Sequence, residues 1–336
     1  MHAPSLEAIR AMLKETGGAI SSTVAPSDTS TSIVVAVAPQ PQLDLGTCEV
    51  ELHHDVGYAA PTLPDGTTYQ LAMDVQVPRS PGRKPLVVYV TGGGFFLHAK
   101  ANALPLRTFV AEAGFVVASI DYRTIGEGAT FADGVADVRA AIRFLRDNAD
   151  EYGIDPARVA LWGESAGGYL AAMSGLTLGR HSLAGEDPAT DEPVRAVIDK
   201  FGVGDFAALA VDFDEATRAH YAGPDSNLAW YLHGRDSGRS PADDPATAAR
   251  ANPHTYVDAG APPFLFLHGS ADTVISPSAT LLLHNALRAA GAESTRFVLT
   301  GASHGDLPFL DLPDGGLAWS TREVMGWKVD FLRAWT

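Results

Sequence analysis

A short motif placed between a buried strand and a helix constrains the fold more than any other feature of this sequence. The strand, residues 158–162, ends in the apolar run Val-Ala-Leu-Trp, which is typical of a parallel strand buried on both faces. The helix, residues 166–173, is rich in Ala, Gly and Leu. Between them stands Gly-Glu-Ser-Ala-Gly, with Ser165 at its centre. This G-x-S-x-G pattern predicts a sharp turn that exposes the Ser165 hydroxyl at the N-terminus of a helix.

Alternating strand and helix patterns around this motif predict a mostly parallel sheet with helices on both faces. Apolar runs of the buried-strand type recur along the chain, at residues 85–90, 115–120, 194–202, 263–268 and 295–299. Helical patterns separate several of them, which is characteristic of α/β proteins. Two earlier strands, residues 50–58 and 68–77, flank a Pro-Asp-Gly turn and are predicted to pair antiparallel. A capping box at residues 320–323 predicts the start of the last helix.

The chain is predicted to have two regions, an N-terminal stretch of residues 1–45 and one α/β domain of residues 46–336. The stretch contains an amphipathic helix at residues 5–15. A Gly/Ser/Thr/Pro-rich tether follows at residues 17–32, for which no regular structure is expected, and the first strand is expected only from Glu49. Two alternatives stay open: a mobile tail, or a helix that docks over the active site.

Within the α/β domain, residues 205–262 predict a cap. The segment is too long for a simple crossover between strands, and an insertion of this size usually forms a lid. It contains a helical pattern at residues 206–221 and an aromatic cluster at Trp230 and Tyr231.

The charge balance excludes several classes of partner. The chain has 24 Lys and Arg residues against 40 Asp and Glu residues, a net charge of −16, and no basic cluster offsets it. Such a surface repels nucleic acid and anionic membranes, so neither is expected as a partner. A small uncharged substrate is expected instead.

The cysteine content and the hydropathy of the sequence indicate where the protein is located and which cofactors it can bind. The single cysteine, Cys48, excludes an intrachain disulfide and a cysteine-based zinc site. The first residues are charged and lack the apolar core of a secretory signal, and no run of 18 apolar residues occurs. We therefore expect a cytoplasmic protein without a transmembrane helix, a metal ion or an organic cofactor.

Two loops downstream of Ser165 carry the partners that a nucleophilic serine needs. A serine hydroxyl requires a general base, and the base requires an orienting carboxylate. Asp272 follows the strand at residues 263–268, and His304 follows the next strand. Both loops are expected at the carboxyl edge of the sheet, beside the serine. Asp306 is a rival acid, but it stands only two residues from His304 and would struggle to reach the outer ring nitrogen.

A glycine-rich loop predicts an oxyanion hole, because acyl transfer passes through a tetrahedral oxyanion that needs preorganised donors. One donor is expected to be the N–H of Ala166, the residue after the nucleophile. The others are expected from the loop Gly92-Gly93-Gly94, where the absence of side chains lets the backbone approach the substrate.

Aromatic residues near these loops are candidates for the substrate pocket. Phe95 and Phe96 follow the glycines, and Trp230 and Tyr231 lie in the predicted cap. Apolar walls are what small-molecule pockets need, so all four are predicted to bind substrate. The alternative is that Trp230 and Tyr231 only anchor the cap to the domain.

Five stretches of the sequence together resemble a known group. They are V-Y-V-T-G-G-G-F, S-I-D-Y-R, Y-G-I-D-P-A-R-V-A-L-W-G-E-S-A-G-G, H-G-S-A-D and G-A-S-H-G. The chain resembles bacterial carboxylesterases of the α/β-hydrolase superfamily, near the hormone-sensitive-lipase-like and feruloyl-esterase-like branches, over residues 85–335. One departure is that Thr91 stands where the family usually has a histidine that braces the glycine loop.

The resemblance implies an α/β-hydrolase fold with a cap insertion and assigns roles to particular residues. It implies Ser165 as nucleophile, His304 as base and Asp272 as acid. It implies the N–H groups of Gly93, Gly94 and Ala166 as oxyanion donors.

The function expected from these patterns is hydrolysis of a small-molecule carboxylic ester through an acyl-enzyme, without a cofactor. An amidase, a formamidase or a small-peptide hydrolase has the same triad and stays an alternative. A non-catalytic binding protein on the same scaffold is the alternative from another class. The physiological ester lies beyond the sequence, and a homodimer stays open.

Overall fold

One nine-stranded sheet forms the centre of the molecule, in a computed structural model that describes residues 14–36, 41–183, 191–305 and 318–336. The strands are β1 (Ile33–Ala36), β2 (Val50–Ala59), β3 (Leu71–Pro78), β4 (Lys84–Val90), β5 (Val116–Ile120), β6 (Ile154–Glu164), β7 (Ala196–Lys200), β8 (Phe264–Gly269) and β9 (Ser294–Thr300). Their order is β1-β9-β8-β7-β6-β4-β5-β3-β2. β3 runs antiparallel to β2 and β5, and every other neighbouring pair is parallel.

Helices cover both faces of this sheet. Eight α-helices lie wholly within the described residues: α1 (Leu104–Glu112), α2 (Phe131–Asp147), α3 (Ala166–Thr177), α4 (Glu215–Ala222), α5 (Asn227–His233), α6 (Pro245–Ala251), α7 (Pro277–Ala289) and α8 (Arg322–Trp335). Helices α2, α3 and α7 bury apolar side chains in one core, and α1 and α8 in the other. Neighbouring positions of β4 alternate between the two cores, Val88 in the first and Tyr89 in the second. The predicted architecture, including the antiparallel pair β2–β3, is confirmed.

The parallel strands bring several loops to one edge. Strands β4, β6, β7, β8 and β9 run in the same direction, so their carboxyl ends meet at that edge. Thr91, Ser165 and Phe201 each follow one of these strands directly, and Asp272 and His304 follow three and four residues after β8 and β9. Open α/β sheets bind ligands at this edge.

The N-terminal stretch contains a strand where none was expected. β1 pairs in parallel with β9, and Ile33 lies opposite Phe297. The expectation that strands begin only at Glu49 was wrong, because this short apolar run follows a polar tether and its partner lies near the C-terminus. The helix predicted at residues 5–15 lies outside the described residues except for residues 14 and 15, which are helical.

The segment predicted as a cap, residues 205–262, contains the three short helices α4, α5 and α6. The helical stretch predicted at residues 206–221 is helical only at its two ends. A 3₁₀ turn ends at Ala208, and α4 begins only after Asp214, whose side chain accepts a hydrogen bond from Thr217 N. The predicted capping box at residues 320–323 is also displaced, because Thr321 caps α8 by accepting from Val324 N.

Candidate active site

The turn that carries Ser165 forms at the predicted junction between β6 and α3. Ser165 has φ 56° and ψ −122°, a conformation that is strained for a residue with a Cβ and that persists only where the surroundings fix it. Both glycines of the motif are required by close approach. A Cβ on Gly163 would lie 2.0 Å from the Gly167 oxygen, and a Cβ on Gly167 would lie 2.1 Å from the Val90 oxygen. The strained serine is therefore held by tightly packed backbone.

Three side chains from separate loops form a continuous hydrogen-bond path. His304 Nδ1 lies 2.7 Å from Asp272 Oδ2, and His304 Nε2 lies 2.9 Å from Ser165 Oγ. The carboxylate can only accept, so Nδ1 carries the proton and Nε2 accepts from the serine hydroxyl. The structure thus brings together the three residues that the sequence assigns as nucleophile, base and acid. The rival carboxylate, Asp306, lies outside the described residues.

Asp272 is fully buried, and both of its oxygens are hydrogen-bonded. Oδ1 accepts from Val274 N at 2.9 Å and from Ile275 N at 3.0 Å. Oδ2 faces His304 and lies 3.2 Å from His268 Nε2. Burial alone would raise the pKa of Asp272, but the two imidazoles and their hydrogen bonds outweigh it and hold that pKa well below its usual range. An ionised carboxylate in this position stabilises an imidazolium.

The loop that carries His304 is fixed from two sides. Trp319 Nε1 donates to Ser303 O at 3.1 Å, immediately before the histidine. The ring of Phe201 packs against the imidazole with their centroids 4.3 Å apart. His304 is only 6% exposed as a result.

The glycine loop approaches Ser165 from the side of β4. Gly92, Gly93 and Gly94 line a cavity next to the serine, and a Cβ on Gly92 would lie 3.1 Å from Ser165 Cβ. Ala166 is the first residue of α3, so its N–H has no partner within the helix. The predicted donors Gly93, Gly94 and Ala166 are therefore close to the nucleophile, and their role as donors stays a prediction.

Neighbouring groups brace this loop although Thr91 replaces the usual histidine. The Tyr122 hydroxyl donates to Thr91 O at 2.9 Å. Asn227 Nδ2, from the first turn of α5, donates to Gly94 O at 2.9 Å. The loop is thus fixed on one side by the S-I-D-Y-R stretch and on the other by the cap.

The cavity beside Ser165 has a volume of about 530 Å³ and a mostly apolar lining. The N-terminal stretch, the glycine loop, α1, the turn after β6, the cap and the acid and base loops all contribute to its wall. Besides Ser165, His304 and the three glycines, the lining includes Thr16, Gly18, Ala19, Ile20, Tyr89, Leu97, Asn102, Ala103, Leu106, Glu164, Lys200, Phe201, Tyr221, Asn227, Val274, Gly305 and Ser320.

The four aromatic residues predicted to bind substrate do not line this cavity. Phe95 is 3% exposed and Tyr231 is fully buried, and their rings stack with centroids 4.3 Å apart. Phe96 and Trp230 pack around the Arg235 guanidinium, which lies 5.1 and 5.0 Å from their ring centroids. Phe95, at φ 64°, packs into the core instead of this cavity wall, and the substrate-binding role predicted for the four residues stays a prediction. The placement of Trp230 and Tyr231 agrees with the anchoring alternative.

Residues 15–25, here called the N-terminal segment, form part of the cavity wall. Gly17 O accepts from Asn227 N at 2.8 Å and Ala19 N donates to the Tyr221 hydroxyl at 3.1 Å. Ser21 N donates to the carbonyl next to the acid, Thr273 O, at 2.9 Å. The described residues from position 16 onward dock without regular helical structure, which argues against a mobile tail there, and the docking of a helix at residues 5–15 stays a prediction. These contacts are made mainly by the backbone of the segment, so no pattern of side chains in the sequence predicts them.

A buried ion pair at the cavity wall was also not predicted. Lys200 Nζ lies 3.2 Å from Glu164 Oε1, and Lys200 is only 2% exposed. Burial would raise the pKa of Glu164, but Lys200 and Lys328 outweigh it and lower that pKa. The position of Glu164 inside the serine motif could have drawn attention to it, whereas Lys200, at the end of the buried strand β7, carries no such sequence signal. The pair gives the cavity one polar region.

Neither a metal cluster nor a membrane span is found in the parts of the chain that the structure covers. No group of three or more His, Cys, Asp or Glu side chains there is arranged to hold a metal ion. No helix among the same residues is long and apolar enough to cross a bilayer.

The strand order and the loops that follow β6, β8 and β9 define an α/β-hydrolase fold, which confirms the predicted fold class. A sequence profile described as BD-FAE matches residues 73–287, more than half of the chain. The chain belongs to the BD-FAE family.

Relatives with curated names are esterases. Esterase LipQ of Mycobacterium tuberculosis is 30% identical over 228 residues, 67% of this chain and 51% of that protein. Isoprenylcysteine alpha-carbonyl methylesterase ICME of Arabidopsis thaliana is 31% identical over 251 residues, 73% of this chain and 56% of that protein. The chain thus spans about half the length of these relatives.

Solved structures agree on the fold. A truncated form of a carbohydrate esterase from gut microbiota has a TM-score of 0.70 and 26% identity, and the match covers 88% of this chain and 98% of that one. Esterase Est2 of Thermogutta terrifontis has a TM-score of 0.62 over 86% of this chain and 92% of that one. At 23% identity, this second likeness supports the fold alone.

Proposed function

We propose that this protein is a serine-dependent carboxylesterase that cleaves esters of small uncharged substrates through an acyl-enzyme. The observation that carries the proposal is the path from buried Asp272 through His304 to Ser165 Oγ, with distances of 2.7 and 2.9 Å, at the wall of a cavity. This is the arrangement that activates a serine hydroxyl as a nucleophile. Relatives named esterase and methylesterase support an ester as the substrate.

In the proposed reaction, Ser165 Oγ attacks the ester carbonyl while His304 Nε2 takes its proton. The resulting oxyanion accepts hydrogen bonds from the N–H groups of Gly93, Gly94 and Ala166. His304 then gives its proton to the leaving alcohol, and the acyl group stays on Ser165. A water molecule deprotonated by the same imidazole cleaves the acyl-enzyme, which restores the hydroxyl.

Cavity chemistry supports a small uncharged substrate. The volume of about 530 Å³ lies within the range of small-molecule pockets, and the lining is mostly apolar. The charged groups that reach it, Glu164 and Lys200, are paired with each other. The net charge of −16 also disfavours anionic substrates in solution.

Replacement of the nucleophile tests the proposal. Ser165→Ala removes one oxygen at a turn, so the fold should persist, whereas ester hydrolysis should fall by a factor on the order of 10⁶. Initial rates on p-nitrophenyl acetate and butyrate measure the loss. Ser174→Ala is the matched control, because Ser174 is a buried serine of the same helix and does not line the cavity. A Ser165→Ala variant that kept a tenth of the activity would exclude Ser165 as the nucleophile.

A fluorophosphonate probe and a panel of matched substrates separate the alternatives. The proposal predicts stoichiometric labelling of wild type at Ser165, no labelling of Ser165→Ala, and faster hydrolysis of an ester than of its matched amide. Faster amide hydrolysis would favour an amidase. Labelling without turnover of any ester or amide would favour a binding protein.

A further inference from the structure

A second buried histidine contacts the same oxygen of the catalytic acid as His304 does. His268 is fully buried at the end of β8, and its Nε2 lies 3.2 Å from Asp272 Oδ2 and 3.0 Å from Ile275 O. Its Nδ1 lies 2.8 Å from the hydroxyl of Thr280 on α7. Thr280 Oγ1 in turn accepts from Nε of Arg296 on β9 at 3.1 Å.

The partners of His268 determine which ring nitrogen carries the proton. Both partners of Nε2, the Ile275 carbonyl and the Asp272 carboxylate, can only accept, so Nε2 is protonated. Nδ1 therefore accepts, and the Thr280 hydroxyl is its donor. The hydroxyl oxygen is itself an acceptor for Arg296, so the hydrogen bonds run in one direction from Arg296 to Asp272.

Burial keeps this ring neutral. Desolvation lowers the pKa of His268 and outweighs the opposing effect of Asp272. Arg296 is 1% exposed, and burial lowers its pKa to about 10, which leaves the guanidinium charged at neutral pH. Its other nitrogens are fixed by Ser32 Oγ and Pro277 O, both at 2.7 Å. The chain of hydrogen bonds therefore begins at a charged donor, Arg296, and this donor fixes its direction.

We propose that His268 is a positioning residue that holds Asp272 Oδ2 on His304 Nδ1, with Thr280 and Arg296 fixing the imidazole. The inference rests on the proposed function. Without the His268 N–H, Oδ2 keeps only one side-chain donor, and the carboxylate can rotate away from His304. A displacement of about 1 Å at a catalytic group is enough to lower a rate by about 10²-fold.

Two substitutions of His268 separate positioning from packing. His268→Leu removes the donor, and we expect kcat on p-nitrophenyl butyrate to fall by about 10²-fold with little change in KM, because substrate contacts are intact. His268→Gln offers an amide N–H near the position of Nε2, and we expect it to recover most of kcat. Equal losses in the Leu and Gln variants, or an increase confined to KM, would overturn the proposal.

His284→Leu is the matched control. His284 is also a buried histidine, 1% exposed, and it bonds Ser294 Oγ and Thr31 O rather than the triad. We expect this variant to lose thermal stability and to keep kcat. A fall in kcat as large as that of His268→Leu would show that buried histidines act through general stability, and would overturn the proposal.

A third variant keeps the test valid if His268→Leu does not fold. Thr280→Val preserves shape but removes the donor to His268 Nδ1, and we expect a smaller loss of kcat in the same direction. Wild-type kcat in this variant would then overturn the proposal. Ser165→Ala, assayed in parallel, separates the two levels: residual activity there contradicts the proposed function, whereas Ser165-dependent activity that ignores His268 contradicts only the positioning role.

Discussion

The cavity has two walls that are built in different ways. The catalytic wall consists of the turn at Ser165 and the acid and base loops, and it is held by buried side chains and by backbone packed too tightly for a Cβ. The outer wall consists of the N-terminal segment and the cap residues Tyr221 and Asn227, and hydrogen bonds to backbone hold it together. The contrast teaches that the triad is held by tight packing at the sheet edge, whereas the outer wall is an irregular segment held through hydrogen bonds to its backbone.

Two carboxylates show the same contrast in electrostatic terms. Asp199 lies under the catalytic wall, fully buried, where its Oδ1 accepts from Gly202 N at 2.7 Å, and burial raises its pKa to about 7. Asp214 in the outer wall accepts hydrogen bonds from Thr217 N, from Ser22 N and from serine hydroxyls, and these hold its pKa well below the usual range. Rising pH ionises the buried Asp199 and so lowers the stability of the fold. Falling pH protonates Asp214 and so weakens the hydrogen bonds that its carboxylate accepts.

After Ser165→Ala, the largest effect is expected from the acid of the catalytic wall. Asp272→Asn keeps the shape but favours the wrong tautomer of His304, so kcat should fall by roughly 10⁴. Asp306→Asn is the comparison and should change kcat little. Steady-state kinetics of both variants on one ester decide the assignment, and a larger loss at Asp306 would move the acid to that residue.

The next effect concerns the pH dependence of stability. The pKa of Asp199 is raised in the folded state, so its contribution is most favourable below pH 4 and is lost as pH rises towards 7, by roughly 4 kcal/mol in total. Asp199→Asn keeps the acceptor for Gly202 and removes the charge, so it should stabilise the protein at pH 8 and not at pH 4. Urea midpoints at both pH values measure this. Equal pH dependence in the two proteins would contradict the assignment to Asp199.

A smaller effect is expected on the range of ester sizes, for which substitutions of Ile20 and Trp230 should act differently. Ile20 lines the cavity and Trp230 does not. Ile20→Trp should lower kcat/KM more for long than for short acyl esters, because each methylene of fit is worth about 1–3 kcal/mol. Trp230→Ala should lower Tm and reduce activity evenly across the series. A size-dependent change at Trp230 with none at Ile20 would reverse these roles.

The smallest effect is expected from one hydroxyl of the outer wall. Tyr221→Phe removes the group to which Ala19 N donates at 3.1 Å and leaves the ring in place. The loss of one such hydrogen bond is worth about 1 kcal/mol, so kcat should stay within a few-fold of wild type while the N-terminal segment becomes easier to cleave. Limited proteolysis of both proteins measures the difference. An unchanged cleavage rate would show that this contact does not hold the segment.

The catalytic wall was predictable because its signals are local. Ser165 lies within a motif, and Asp272 and His304 each follow an apolar strand, so strand order alone brings them to one edge. The outer wall was not predictable, because the Gly17 carbonyl and the Ala19 N–H act through backbone groups that every residue has.

The packing of the aromatic residues was not predictable for a different reason. The sequence shows that Phe95 and Tyr231 are apolar, but a ring packs equally well against a substrate or against another ring. Their rings stack with centroids 4.3 Å apart, and Phe95 has a positive φ there, a conformation that the sequence does not predict for a phenylalanine.

Strand β1 was missed because Ile33 and Val34, half exposed at a sheet edge, pair with a strand from the far end of the chain.

The pairing of β1 with β9 determines when β1 can join the sheet during synthesis. Residues 33–36 are translated long before β9, their partner in the sheet, which begins at Ser294. Thr273, to which Ser21 binds, and the cap that holds Gly17 are also made long after them. A segment translated before its partners therefore finds its place only after they are made, although domains generally fold from the N-terminal side onward during synthesis. A chain arrested before β9 has neither the base His304 nor a pairing partner for β1.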